Sequence, residues 1–129
     1  MLAVSPNVVV RYVTRDHPEQ SATAKGLIDG NEIFVATTVL LETEWVLRSG
    51  YRFTRAQIVE ALGAFAGLPR VTLEDPSLAA KALDWAARGV DFADALHLAK
   101  AEDCDAFISF DQRLSAAANP LSEVKVRAP

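Results

Sequence analysis

The sequence predicts an α/β domain with a parallel sheet covered by helices on both faces. Three observations carry that prediction. Short apolar runs alternate along the chain with longer runs of helix-forming residues. No good two-residue hairpin turn joins neighbouring apolar runs, so the strands must be linked by crossovers. The length of 129 residues suits one domain, residues 1–129, large enough for its own core.

Leu2 to Ser5 is a first strand, ended by Ser5-Pro6. Asn7 can cap the next segment, and Val8 to Val13 fits a strand by composition. Arg15-Asp16-His17-Pro18 is a loop. Pro18 suits a first helical position, and Glu19 to Asp29 forms a helix closed by Gly30. Glu32 to Ala36 is a second strand. Thr37 or Thr38 caps a helix to about Ser49, with Gly50 just past it. Thr54 caps another from Arg55 to about Gly67, ending before Pro69. Val71 to Leu73 is a third strand, and Asp75-Pro76 opens a helix to Arg88 that Gly89 stops. A helix from Asp91 to Ala99, a strand from Ala106 to Phe110 and a fifth strand at Val124 to Val126 complete the set. Arg127-Ala128-Pro129 should fray.

Composition narrows the function classes. Half the residues are apolar and 23% are charged, ordinary for a soluble domain. The single Cys104 excludes an internal disulfide and suits a reducing cytoplasm, where such a residue is usually a small core filler. No apolar run reaches the roughly 20 residues of a membrane span, and Met1 to Ser5 does not resemble a secretory signal. The expected location is cytoplasmic. The net charge of −4 argues against a broad basic face for nucleic acid. It does not argue against a local site where gathered carboxylates hold a metal.

The chemistry concentrates between Val90 and Gln112. On a helix, Phe92, Ala95, Leu96 and Ala99 share one face. Asp94 points away from it, yet its neighbours Ala93, Leu98 and Ala101 are apolar too. A carboxylate with so little polar company belongs in a cleft rather than in bulk water. The strand from Ala106 stops at Asp111, and open α/β sheets bind ligands beyond the carboxyl ends of strands. Asp94 and Asp111 are therefore candidates to meet at one sheet edge. Their simpler readings are a helix-face acid and a helix N-cap before Gln112-Arg113-Leu114. Asp91 reads as an N-terminal helix acid.

A further acid lies in Val39-Leu40-Leu41-Glu42-Thr43-Glu44-Trp45-Val46-Leu47. Glu44 has Arg48 four places on, so a surface ion pair explains it. Glu42 has no basic partner in reach on its helix and is a functional candidate. Three converging acids suit a hard cation, Mg²⁺ or Mn²⁺, with oxygen ligands and waters. Such a site can activate water and stabilise a phosphoryl transition state without a nucleophilic side chain. No phosphate-binding Gly-rich loop, paired Cys motif or Gly-x-Ser-x-Gly elbow offers another chemistry. His97 shares a side of the helix with Asp94 and reads first as structural. Trp45, Trp85 and Phe92 are spaced as core residues.

Asp91-Phe92-Ala93-Asp94-Ala95-Leu96-His97, together with Ser109-Phe110-Asp111-Gln112-Arg113-Leu114, closely resembles the PIN-domain ribonucleases, and among them the VapC-type toxins of bacterial toxin–antitoxin pairs. Asn7 to Asp16 resembles the family's opening, and Leu41 to Leu47 its second acidic segment. The resemblance implies a three-layer α/β/α fold around a short central parallel sheet, with Val8 to Val13 helical. It implies a Mg²⁺-dependent endoribonuclease with four acids and a Ser or Thr before the last. Glu42, Asp94 and Asp111 fill three acidic places and would hold the metal. Ser109 fills the hydroxyl place and Asn7 the amide place. Ser5 stands where the first catalytic Asp belongs, next to Pro6, and a hydroxyl is a weaker ligand than a carboxylate for a hard cation.

The resemblance also implies partners: a VapB-like antitoxin, an RNA substrate such as a tRNA loop, and a second copy in a homodimer. DNA would be met only through the antitoxin. Arg11, Arg15, Arg48 and Arg113 flank the acidic segments and are candidates to touch RNA. Against this stands a non-catalytic module that keeps the fold and binds antitoxin, and, further off, a metal phosphohydrolase of another kind.

Overall fold

Every strand of this chain is two or three residues long, and every strand pairing is parallel. Strands this short contribute few ladder bonds, so the helices between them carry most of the buried surface. The computed structural model describes all 129 residues, Met1–Pro129. Its backbone divides into two compact units, Met1–Pro76 and Ser77–Pro129.

The first unit contains β1 (Leu2–Ala3), α1 (Pro6–Thr14), α2 (Pro18–Gly30), β2 (Ile33–Val35), α3 (Thr37–Ser49), α4 (Arg55–Ala66) and β3 (Val71–Leu73). Its sheet order is β1-β2-β3, with Leu2 opposite Ile33 and Ile33 opposite Val71. Helix α1 packs on α2 and α3, and α3 on α4. Val9, Ile28, Ile33, Val35, Leu47, Leu62 and Phe65 are fully buried, each contributing about 1.5–3 kcal/mol of transfer free energy. The Tyr12 ring meets the edge of Phe65 at 5.8 Å between centroids. The valine run of α1 is thus helical: Pro6 starts it at a position where no amide hydrogen is needed.

The second unit opens with α5 (Pro76–Ala87) and continues through α6 (Phe92–Ala99), β4 (Phe107–Ile108), α7 (Gln112–Ala118) and β5 (Val126–Arg127). Here β4 pairs with β5, with Phe107 opposite Val126 and Ile108 opposite Arg127, and α7 packs on β5. Gly89 takes φ +112°, a conformation that turns the chain out of α5 and that a side chain would strain.

The local signals explain most boundaries. Thr54 caps α4 in a reciprocal capping box with Gln57. Asp91 caps α6, and Asp111 caps α7. Elsewhere the caps differ from expectation. Ser5, not Asn7, is the N-cap of α1, because Pro6 already occupies the first helical turn. His17 caps α2, its Nδ1 accepting from the Gln20 amide at 3.1 Å. Ala36, not a threonine, is the N-cap of α3. The amide of Thr37 donates instead to the Glu74 carboxylate at 2.9 Å, a partner 37 residues away.

The fifth strand lies two residues later than expected, so Arg127 is paired rather than frayed. Cys104 is exposed rather than a core filler. Trp45 is 57% exposed, whereas Trp85 and Phe92 are buried as their spacing predicts. No helix is long and apolar enough to cross a membrane.

Candidate functional site

The predicted site residues lie in both units. In the first, Ser5 follows β1 and starts α1. Its hydroxyl donates to Oδ1 of Asn7 at 2.5 Å. The place expected to carry an acid therefore holds a neutral group already committed to its neighbour. Beside Asn7, a groove of about 500 Å³ runs between α1 and α2, lined by Val8, Arg11, Gln20, Thr23 and Leu27 among others. Arg11 is tied down beside it: its Nε donates to Gln20, and its Nη1 reaches the Tyr51 hydroxyl at 2.8 Å and Asp16 at 3.4 Å.

On α3 the two glutamates separate cleanly. Glu44 is buried, with its side chain 4% exposed, and it accepts from Arg48 Nε at 2.9 Å. The i,i+4 pair is the one the spacing predicts, but its acid lies inside rather than on the surface. Glu42 is exposed and makes no ion pair. A carboxylate left in water on an otherwise apolar helix is free to meet a cation or a substrate.

The second unit brings Asp94 and Asp111 into electrostatic contact. Asp94 sits half-buried one turn into α6, and no donor neutralises its carboxylate. Burial holds its carboxyl above the ordinary range; the negative charges of Asp91 and then Asp111 push it further the same way, against a pull from His97. Asp91 acts on that carboxyl through charge alone, because its Oδ2 accepts the Asp94 amide at 3.1 Å as the helix cap.

Asp111 is held more firmly. Its Oδ1 accepts from the amides of Arg113 at 2.9 Å and Leu114 at 3.1 Å, so the N-cap reading is correct. Only Oδ1 is used, however, and Oδ2 remains available. Ser109 supports the turn: its Oγ accepts the Asp111 amide at 3.0 Å, and its own amide donates to the Arg127 carbonyl at 3.0 Å. Capping and ligation are thus compatible roles for one carboxylate.

The donors are carboxylate oxygens, the kind that a hard divalent cation such as Mg²⁺ would take. Neither unit by itself gathers three or more His, Cys, Asp or Glu side chains around a metal position. A pair of carboxylates is nevertheless enough for this ion, which keeps several waters and is commonly held by one or two carboxylates plus substrate phosphate. Asp94 is half-buried within reach of the negative charges of Asp91 and Asp111, and a cation would relieve that crowding of charge. Asp94 and Asp111 are the oxygen donors of the second unit, and Glu42 is the exposed acid that α3 offers in the first.

One residue escapes sequence reasoning. Phe110, between Ser109 and Asp111, is 87% exposed. The period-2 alternation of Phe107-Ile108-Ser109-Phe110 could have revealed it, because it sets Ile108 and Phe110 on one side.

No curated protein matches the chain. The profile of the PIN domain matches residues 6–120, which covers α1 through α7 and includes Glu42, Asp94 and Asp111. PIN domains are generally metal-dependent nucleases of α/β/α fold, as the alternation of elements predicts. By the extent of that match, this chain belongs to the PIN domain family.

Proposed function

We propose that this chain is a Mg²⁺-dependent endoribonuclease of the VapC type, the toxin of a bacterial toxin–antitoxin pair, acting in the cytoplasm as a single PIN domain over residues 1–129. The observation that carries this reading is the half-buried Asp94, burdened by Asp91 and Asp111, within a chain of the PIN family. Mg²⁺, or Mn²⁺ in its place, would supply water activation and charge neutralisation at the scissile phosphate.

The residues have distinct tasks in this reading. Asp94 holds the cation. Asp111, fixed by two α7 amides, presents Oδ2 in a set direction, and Ser109 keeps its backbone in place. Glu42, exposed on α3, is the acid that orients the attacking water. Electrostatic preorganisation of this kind needs no covalent intermediate. The partners are RNA with an unpaired segment, such as a tRNA loop, a VapB-like antitoxin, and a second copy of the chain. DNA is reached only through the antitoxin.

A second reading has its own observation. The Ser5 hydroxyl is bound to Asn7, so the opening acid of the family is missing from this chain. A non-catalytic PIN module that binds antitoxin and takes part in promoter autoregulation fits that fact. The deciding experiment is RNA cleavage by the parent chain with and without Mg²⁺, beside Asp94→Asn. Cleavage that needs Mg²⁺ and disappears in Asp94→Asn supports the nuclease. Antitoxin binding without any cleavage supports the module.

A further inference from the structure

An aromatic ring left almost wholly in water one residue from a candidate catalytic acid needs a reason. Phe110 is 87% exposed, and Ile108, two places before it on the same side, is 48% exposed. The backbone that carries the ring is pinned before and after it. The Ser109 amide donates to the Arg127 carbonyl, and the Asp111 amide donates to Ser109 Oγ, both at 3.0 Å. The register places Arg127 opposite Ile108, and paired residues of neighbouring strands project to the same face. Arg127 is exposed and enters no ion pair, and the same holds for Arg113 on the first turn of α7. Lys125, by contrast, is committed to the carbonyls of Asn119 and Ser122. The carboxyl end of β4 thus offers one bare aromatic face flanked by two free guanidinium groups.

We propose that Phe110 is a stacking platform for an unpaired RNA base, with Arg113 and Arg127 contacting the phosphates beside it. The inference rests on the ribonuclease reading above and adds to it a residue that positions the unpaired RNA. Asp111 is the next residue along the chain, its Cα about 3.8 Å from that of Phe110, so a base on the ring lies close to the candidate acid. Single-strand binders combine this kind of ring with cations that follow the backbone, and stacking tolerates any base because each has a π face. The chain carries a net charge of −4, so stacking rather than a basic groove must supply much of the hold. A base paired in a duplex has no free face to offer, and duplex RNA of the same sequence is discriminated against.

The test uses the full chain and a short single-stranded RNA carrying one 2-aminopurine, titrated in Ca²⁺ and followed by fluorescence. Parent, Phe110→Ala, Phe110→Leu and Phe110→Trp are compared. Phe110→Ala should weaken binding roughly 5- to 150-fold and abolish the emission change, from the usual worth of one stacked base. Phe110→Trp should retain both, and Phe110→Leu should behave like alanine. Because the ring is exposed, the melting temperature of Phe110→Ala should match the parent. Arg127→Gln should lower the salt dependence of binding by about one phosphate contact. The proposal is overturned if Phe110→Ala binds within twofold of the parent, or if leucine serves as well as tryptophan. It is also overturned if Phe110→Ala alters sedimentation but not RNA binding, which would make the ring a contact between copies. RNA binding that ignores Phe110 removes this inference alone; a parent that binds no RNA removes the ribonuclease reading with it.

Discussion

The Ser5 hydroxyl donates to Oδ1 of Asn7 at 2.5 Å, so the residue that opens α1 spends its only hydrogen on the residue two places later. A carboxylate in the same position has no hydrogen to give and would present both oxygens outward. Ser5→Asp should therefore tighten Mg²⁺ binding and raise RNA cleavage, each by about tenfold or more. Calorimetry and a cleavage assay on the two proteins check this. Equal values would mean that position 5 does not contribute to the metal site.

Asp94 carries a stability cost with a definite sign. An acid whose folded-state value stands above its free value of 3.8 binds more protons folded than unfolded within that window. Stability attributable to it falls as pH rises through the window, and the whole cost is present above it. Asp94→Asn should melt higher than the parent at pH 7, and the difference should close well below pH 3.8. The same substitution should remove stabilisation by added Mg²⁺. A parent that melts higher than Asp94→Asn at neutral pH, without metal, contradicts that burden.

The opposite sign applies to Asp16. Hydrogen bonds from Thr14 and Tyr51 hold its carboxyl below the ordinary range. Its contribution to stability is present above the unfolded value of 3.8 and is lost as pH falls through the lower folded value. Tyr51→Phe removes the bond to Asp16 and the one received from Arg11. Its melting temperature should fall below the parent's at pH 7, with the gap narrowing in acid. Thermal melts across that range are the measurement.

Glu42 and Glu44 should respond oppositely to the same substitution. Glu42→Gln alters an exposed side chain and should change stability by less than about 0.5 kcal/mol, while cleavage falls at least tenfold. Glu44→Gln weakens a buried acid's pair with Arg48 and should cost about 1–2 kcal/mol, with cleavage per folded molecule little changed. Denaturant melts and activity assays on both variants separate the two roles.

Thr54→Ala removes the hydroxyl that accepts the Gln57 amide, one half of the capping box, and leaves the residue-54 amide still donating to the Gln57 side chain. The expected loss is about 1 kcal/mol, or roughly 3–5 °C in melting temperature. Calorimetric scanning should show this without change in RNA binding.

Local chemistry explains which elements are legible in the amino-acid sequence. Pro18 and Pro76 mark helix starts, Thr54 marks a cap, Asp91 marks the start of α6, and the apolar triplet Val71–Leu73 is a strand with the expected bounds. These signals lie within a few residues of what they specify. The misses depend on distance in sequence. No local pattern couples Thr37 to Glu74, and none shows that Trp45 faces water while Leu47 is buried. Helix α7 is visible only as the cap at Asp111, because seven residues hold too short a periodicity. At the site, the pairing of Asp94 with Asp111 is legible from a helix with little polar surface and a strand ending in an acid. Phe110 is legible only through the alternation that sets it on the side of Ile108, since an aromatic residue by itself suggests core.

The bond from the Ser109 amide to the Arg127 carbonyl makes the tail of the chain a structural support for residues far upstream. Proteolytic trimming after Lys125 would take away Val126 and Arg127, and with them the whole of β5. Every carboxylate would survive such a cut, yet the turn that aims Asp111 would lose its anchor. A peptidase acting on that tail would therefore loosen Asp111 while leaving every candidate acid in the chain.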